Sequence, residues 1–409
     1  MIDGISIETE ILNFDMWRLK MPFEISTPIN TDTGAIISSK KYDNSINGKF
    51  VQNEYEIIIH KAEFETYKIV IRQVVKLNSE TKYYLKLNGS LHKNKFGGAN
   101  YERFYFYDIV NEIDKICKTL LIDSKRTKIV NIEFGVNIEV DFEPHKFLNE
   151  YLISYKNEQF SQYAPDKKGR RIGYECILSQ YTVKCYDKGL QFSLPYNLMR
   201  FELKYKKMQK LNKIGIYNLH DLTNLIIYPK LKQLLLQSWN SILLYQPIPT
   251  ENTILTELQL ELIKVGNSFK YWNNLYLTDK RKLFYRKNVF INTMNEFSKG
   301  YFKDIELKIN NEWNILFEPK LSEITINIKG KLLQSSNLEQ KRFCKSCNSD
   351  ISHQKNNSSF CSAKYVGYEN AHRCRNTKNN FKYKIEKIQS KGILFDIEPF
   401  FCKKVRNYF

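Results

Sequence analysis

The sequence predicts an α+β protein: a mainly antiparallel sheet domain, then a helical region, then a small C-terminal cysteine module. Three observations carry that reading. Residues 1–212 are rich in alternating, β-branched and aromatic segments, with one clear helical stretch among them. From 213 to 335 the apolar spacing becomes helical. Beyond 340, four of the chain's eight cysteines fall within 31 residues. Strands and helices that do not alternate strictly point to an antiparallel rather than a doubly wound parallel sheet.

The expected strands, in order, are Glu54–His60, Tyr67–Lys76, Lys82–His92, Ile129–Val140, Tyr181–Asp187 and Leu198–Lys206. Between them, Phe106, Ile109, Val110, Ile113, Ile116 and Leu120 recur at helical spacing, which predicts a helix within Phe104–Ile122. In the second region, Leu219–Leu244 and Ile254–Val265 have helical periodicity. Leu277–Lys299 does too, with Thr278 as the expected N-cap. The helical part is expected to run to about Asn311 and to be followed by a strand-like piece, Glu323–Ile328. The cysteine module is placed at 340–378 and a basic tail at 379–409. From Lys341 onward there are 15 basic and 5 acidic residues, a density suited to nucleic-acid contact.

The whole chain has 409 residues, 42% of them hydrophobic, enough for a sizeable core and against wholesale disorder. Its formal net charge is +19. Such an excess suits a polyanionic partner, nucleic acid before an anionic membrane surface. An AT-rich gene also enriches Lys, Asn, Ile and Tyr, so charge alone does not choose the partner. The longest apolar stretch, Leu219–Leu244, is broken by His220, Asp221, Lys230 and Lys232, so no membrane span is expected. The acidic opening Met1-Ile-Asp3-Gly-Ile-Ser-Ile-Glu8 does not read as a secretory signal. With Cys117, Cys176, Cys185 and Cys402 scattered, the cysteines read as one metal site plus ordinary thiols, not a disulfide framework.

Cys344-Lys-Ser-Cys347, Cys361 and Cys374 form the sharpest motif. Two thiolates two residues apart can grip one ion, and spacers of 13 and 12 residues can return the other two. Four sulfur or nitrogen ligands in a tetrahedron are what structural Zn²⁺ requires. His372 is an alternative to Cys374, and His353 a weaker one. Unrelated thiols or a redox Cys-x-x-Cys are the competing readings.

Four polar constellations come earlier. In Tyr181-Thr-Val-Lys184-Cys-Tyr186-Asp-Lys188, the residues Lys184, Tyr186 and Lys188 share a strand face. Flanking ammonium groups would stabilise a phenolate and hold a phosphate, but an ordinary solvated face has the same pattern. In Arg200-Phe-Glu202-Leu-Lys204, a charged face backs onto apolar residues, either a half-buried strand or a site for phosphate and a divalent ion. Asn131, Glu133, Asn137 and Glu139 line one face of their strand, suited to Mg²⁺ or Mn²⁺ or to pairing with lysines. Asn88, Ser90 and His92 share another face, where His92 is a metal ligand, a phosphate donor or a plain polar residue.

In this order, a carboxylate strand, Tyr-x-x-Lys-x-Tyr-Asp-Lys and Arg-x-Glu-x-Lys, the first 215 or so residues resemble the rolling-circle replication initiators of plasmids and filamentous phages. Both the phage gene II/X replication proteins and the Rep-trans initiators of staphylococcal-type plasmids are similar. Met1-Ile-Asp3 resembles the phage branch, Tyr186-Asp187-Lys188 its Y-D-K element, and Arg200-Phe-Glu202-Leu-Lys204 its R-x-E-x-K strand. Three features depart from the pattern. No His-hydrophobic-His motif is present, and Glu133 and Asn131 stand where Asp and Arg are usual.

The resemblance implies a nuclease-like sheet domain that nicks and rejoins DNA at a replication origin. Tyr186 would form a 5′-phosphotyrosine, with Tyr181 as the alternative nucleophile on the opposite face. Lys184, Lys188 and Arg200 would position phosphate oxygens. Mg²⁺ or Mn²⁺ would be held by Glu133 and Glu202, with His92 as a third candidate. The implied partners are single- and double-stranded origin DNA and a host helicase and polymerase, in a bacterial cytoplasm. The competing expectation is a zinc-containing DNA-binding protein without catalysis, a repressor or origin-binding factor.

Overall fold

The computed structural model describes residues 1–43, 53–76, 80–163, 165, 169–248 and 254–317. In the C-terminal part it describes residues 344, 350–355, 358, 360–372 and 374. The chain divides into two units, Met1–Leu321 and Ser322–Phe409.

The first unit contains thirteen strands among its described residues: β1 (Ile2–Ile11), β2 (Ser38–Asp43), β3 (Asn53–Phe64), β4 (Tyr67–Lys76), β5 (Lys82–Ser90), β6 (Lys128–Glu139), β7 (Leu152–Tyr155), β8 (Glu158–Gln159), β9 (Ser161–Gln162), β10 (Gly173–Ile177), β11 (Tyr181–Asp187), β12 (Leu198–Tyr205) and β13 (Ile242–Leu244). Ten form one antiparallel sheet in the order β2-β3-β4-β5-β1-β6-β12-β11-β10-β9; β13-β7-β8 form a small second sheet. The helices are α1 (Phe14–Leu19), α2 (Leu91–Lys95), α3 (Phe106–Leu120), α4 (Pro144–Tyr151), α5 (Lys188–Phe192), α6 (Gln209–Asn212), α7 (Tyr228–Trp239), α8 (Glu257–Val265), α9 (Phe269–Thr278), α10 (Lys280–Phe297) and α11 (Tyr301–Phe317).

The strand period of two divides the large sheet into unlike faces. One face carries Ile7, Leu87, Ile132, Phe134, Phe201 and Leu203, all buried. Trp313 of α11 packs edge-on to Phe134, and Trp239 of α7 edge-on to Phe201, with ring centroids 6.1 and 5.3 Å apart. Helix α3 joins this core through Ile109, Ile113, Ile116 and Leu120. The opposite face carries Glu133, Gly135, Asn137, Lys184, Tyr186, Arg200 and Glu202, and there the polar chemistry gathers.

The α+β class with a large antiparallel sheet is present, and the expected strands Tyr67–Lys76 and Tyr181–Asp187 coincide with β4 and β11. Three expectations are corrected. Leu219–Leu244 is not one helix. It breaks into short 3-10 turns at Leu219–Thr223 and Leu225–Ile227, then α7 and β13, because the Asn218 and Asn224 side chains cap backbone N–H groups and Pro229 opens α7. The cap of α10 is Asp279 rather than Thr278, its carboxylate accepting from the amides of Arg281 and Lys282. Strand β5 stops at Ser90, whose hydroxyl accepts from the Lys93 amide and turns the chain into α2. Glu323–Ile328, Cys347 and the tail 379–409 lie outside the described residues. Among the described residues, no helix is long and apolar enough to cross a membrane.

Candidate active site and metal centre

Register places the polar side chains in rows. On β11 and β12, Lys184 is opposite Glu202 and Tyr186 opposite Arg200. On β12 and β6, Glu202 is opposite Gly135, Arg200 opposite Asn137, and Lys204 opposite Glu133. A Cβ at Gly135 would run into the Phe201 carbonyl and the Glu202 side chain, so glycine lets these strands close at the centre of the site. Together they floor a cleft of about 670 Å³ that reaches Asp3, Ser90 and Asn100 on one side and Tyr163 on the other. Lys86, Lys93, Lys204 and Lys206 are also in its lining.

Tyr186, only 4% exposed, is at the floor. Its hydroxyl donates to Glu202 Oε2 at 3.3 Å and accepts from Lys188 Nζ at 3.5 Å. The position of Lys188 follows from the end of β11. Asp187 caps α5 through its Oδ1 and the Leu190 amide, 2.7 Å, while His145 Nδ1 lies 3.2 Å from Oδ2. Lys188 is the first residue of that short helix, and its amine turns back over the Tyr186 ring, 5.1 Å from the centroid.

Arg200 is fully buried and connects three strands. Its Nε donates to Glu202, Nη2 to Asp3 Oδ2 at 2.7 Å, and Nη1 to Asn137 Oδ1 at 3.1 Å. Asp3 also accepts from the Ser90 hydroxyl and from Asn100 Nδ2 at 2.8 Å. Lys184 is clamped between Glu133 and Glu202 Oε1, the latter at 3.1 Å, and Lys204 reaches Glu133 at 3.6 Å.

The electrostatics differ from the sequence-based expectation that flanking ammonium groups favour the phenolate. Burial, then the Glu202 carboxylate, push the Tyr186 phenol well above 10. The ammonium of Lys184 is spent on the two glutamates, and although burial opposes it, they raise its pKa. Burial also favours the acid form of Glu202, yet Arg200 and Lys184 hold it well below the usual carboxylate range. Glu133 is raised by burial and by its neighbour Glu202. Lys188 is pushed down to about 7 by burial and by Arg200.

Burial is the larger cause of the Glu133 shift, and Lys184 and Lys204 oppose it. Two carboxylates open to a cleft suit Mg²⁺ or Mn²⁺, which commonly takes one or two protein carboxylates plus water and substrate phosphate. A divalent ion at Glu133 and Glu202 would have to displace Lys184, which is paired with both. His92 does not join them. It is buried with its ring against Phe104, centroids 5.0 Å apart, and Phe96, 5.3 Å apart. Among the described residues neither of its ring nitrogens has a hydrogen-bond partner. Burial lowers its pKa to about 3, so it is neutral, and Asp3 opposes that shift.

Tyr181 is on the other face, where its hydroxyl is 2.8 Å from that of Tyr155 and its ring stacks on Tyr205. Asp3 and Tyr163 are among the cleft residues that escaped the sequence reading as site members. Asp3 was visible only as part of an N-terminal resemblance, because β1 was not among the expected strands. Tyr163 gave no signal at all. Its ring stacks on that of Tyr186, centroids 5.3 Å apart at 14°, and Lys184 Nζ lies 5.3 Å from its centroid.

The second unit holds the cysteines. Cys344, Cys361 and Cys374 are buried, and their sulfurs all lie within 4.8 Å of one another. Among the described residues this is the one such convergence of three or more potential metal ligands, and soft thiolates suit Zn²⁺. The ring of His372 stacks on Tyr368, centroids 5.9 Å apart. A short helix, α12 (Ala363–Val366), lies between the second and third cysteines, and Ile351, Phe360 and Val366 pack around the cluster.

No protein-family model and no curated protein matches the chain. Among solved structures it is similar to the rolling circle replication initiator protein from Geobacillus stearothermophilus, at 8% identity and a TM-score of 0.29, over 64% of this chain and 94% of that one.

Proposed function

We propose that this protein initiates rolling-circle replication of a plasmid or phage genome, nicking and rejoining one DNA strand with Tyr186 as the attacking group. The observation that carries the reading is the Tyr186 hydroxyl between Glu202 and Lys188 at the floor of a lysine-lined cleft. A nucleophilic tyrosine needs a group to take its proton and cations to receive the phosphate, and these residue types surround it.

In this mechanism the phenolic oxygen bonds to phosphorus and the P–O3′ bond breaks. The products are a 5′-phosphotyrosine and a free 3′ end for a polymerase. Rejoining is the reverse, with a 3′-hydroxyl attacking the phosphotyrosine. Arg200 fixes Glu202, and Glu202 orients the phenol. Lys204 and Lys206, at the cleft, hold flanking phosphates; neutralising them makes binding steeply salt-dependent. Glu133 and Glu202, with Lys184 displaced, would hold Mg²⁺ or Mn²⁺, which supplies charge neutralisation on the phosphate. Zn²⁺ on Cys344, Cys361 and Cys374, with Cys347 as the fourth ligand, would stabilise the C-terminal module, whose basic setting adds affinity for the origin.

Purified protein with Mn²⁺ and a supercoiled plasmid carrying the gene's flanking DNA tests this. Open circles with a protein-blocked 5′ end are expected, and Tyr186→Phe should abolish them while leaving binding nearly intact. One observation favours a second reading, a zinc-containing DNA-binding protein without catalysis: Tyr186 is buried and its phenol is held protonated. Salt-sensitive binding with no nick on either strand, across metals, is the result that reading expects.

A further inference from the structure

The buried cations of the cleft are unequally paired. Lys184 has two carboxylate partners and Arg200 has two. Lys188 is only 1% exposed, so water does not stand in for a counter-ion. Among the described residues its amine donates to Gln191 Oε1 at 2.8 Å and to the Tyr186 hydroxyl at 3.5 Å, and no carboxylate lies within ion-pair distance. A buried ammonium with an amide and a phenol for company is the costly form of that side chain.

We propose that Lys188 is the proton acceptor for Tyr186. This rests on the nicking reading and changes the part expected of Lys188 from holding phosphate to moving a proton. The neutral amine takes the phenol proton as the O–P bond forms. The electron pair of the breaking P–O3′ bond leaves on the 3′ oxygen, which is protonated from solvent. On rejoining, the Lys188 ammonium returns its proton to the departing phenolate, so the same pair serves both directions. A heavy-atom separation of 3.5 Å is long for proton transfer, but catalytic contacts commonly tighten once substrate is bound.

The surroundings of Lys188 favour a neutral amine. Arg200 on β12 and Lys93 on α2 repel its positive charge, while Asp3 on β1 and Glu202 on β12 attract it. His92 on α2 interacts with Lys188 and is itself uncharged. Burial and Arg200 prevail, leaving an amine that titrates at about 7. Gln191 and the capped start of α5 hold it over the ring.

The test compares Lys188→Arg and Lys188→Met with wild type in single-turnover nicking of an origin oligonucleotide with Mn²⁺. Arginine keeps the charge and cannot accept a proton. If Lys188 is the acceptor, both variants lose about 10²–10⁴-fold, as general bases do. The wild-type rate climbs with pH to about 7 and levels off, a limb both variants lack, and small primary amines restore part of the rate to Lys188→Gly. Lys188→Arg nicking within a few-fold of wild type, with the limb intact, overturns the proposal and leaves the nicking reading standing. A wild type that never nicks overturns both. A readout independent of activity is the titration of ¹³C-dimethylated lysines by NMR. The resonance absent from Lys188→Arg should titrate near 7. A midpoint in the ordinary lysine range overturns the assignment even if every variant folds poorly.

Discussion

Tyr163 lies face to face with Tyr186, ring centroids 5.3 Å apart and planes 14° from parallel. It comes from the segment after β9, held by its own amide donating to the Gly173 carbonyl at 2.8 Å. In the nicking reading, DNA displaces this ring, or stacks a base on it, before a phosphate reaches Tyr186. Tyr163→Ala should therefore leave Tyr186 open to nitration by tetranitromethane, whereas wild type is protected. It should also cost about 1 kcal/mol of stability, the order of an aromatic pair. Equal protection in both proteins would show that Tyr163 is not the cover.

Arg200 holds Asp3 and Glu202 together from a fully buried position. Arg200→Met leaves the buried Asp3 without its cation and Glu202 with Lys184 alone. The expected loss is about 3–5 kcal/mol in urea unfolding. Arg200→Met with both Asp3→Asn and Glu202→Gln should recover part of it, since the stranded charges are gone. No recovery in that triple variant would locate the loss in packing.

Lys188 also sets a pH dependence. Its folded-state pKa, about 7, is below the ordinary lysine value of 10.5. Between those values the unfolded chain binds more protons than the folded one, so this residue's contribution to stability rises with pH across that window. Unfolding free energies of wild type and Lys188→Met, compared at pH 7 and pH 10, should converge or cross as wild type gains on the variant. Parallel profiles would mean Lys188 is charged when folded.

The cysteine cluster predicts about one zinc per chain by elemental analysis. Cys361→Ser should lose that zinc and weaken duplex binding, while nicking of a single-stranded oligonucleotide changes little. The cluster and the Tyr186 cleft belong to different units of the chain. Full zinc retention in Cys361→Ser would remove that residue from the ligand set.

Several elements were legible because local pattern decides them. Tyr67–Lys76 and Tyr181–Asp187 alternate or run β-branched, and both appear as strands with those bounds. The shared face of Lys184 and Tyr186 on one strand, and that of Arg200 and Glu202 on another, each follow from the two-residue period. Leu219–Leu244 misled because its leucines serve 3-10 turns, a helix and a strand in succession. What no local pattern contains is pairing across the chain. Asp3 meets Arg200 only because β1 and β12 both pair with β6. The expectation that lysines favour the phenolate failed because the fold buries Tyr186 beside Glu202, while Lys184 pairs with Glu133, 51 positions away in sequence.

The most direct measurement traps the covalent intermediate. An origin oligonucleotide is cleaved by wild-type protein with Mn²⁺, the mixture is digested with protease, and the DNA-linked peptide is identified by mass spectrometry. The Tyr186 assignment predicts a 5′-phosphate ester on that residue, absent from Tyr186→Phe and reduced in Lys188→Arg. An adduct on Tyr181 or Tyr163, or cleavage with no adduct on the protein, would contradict it.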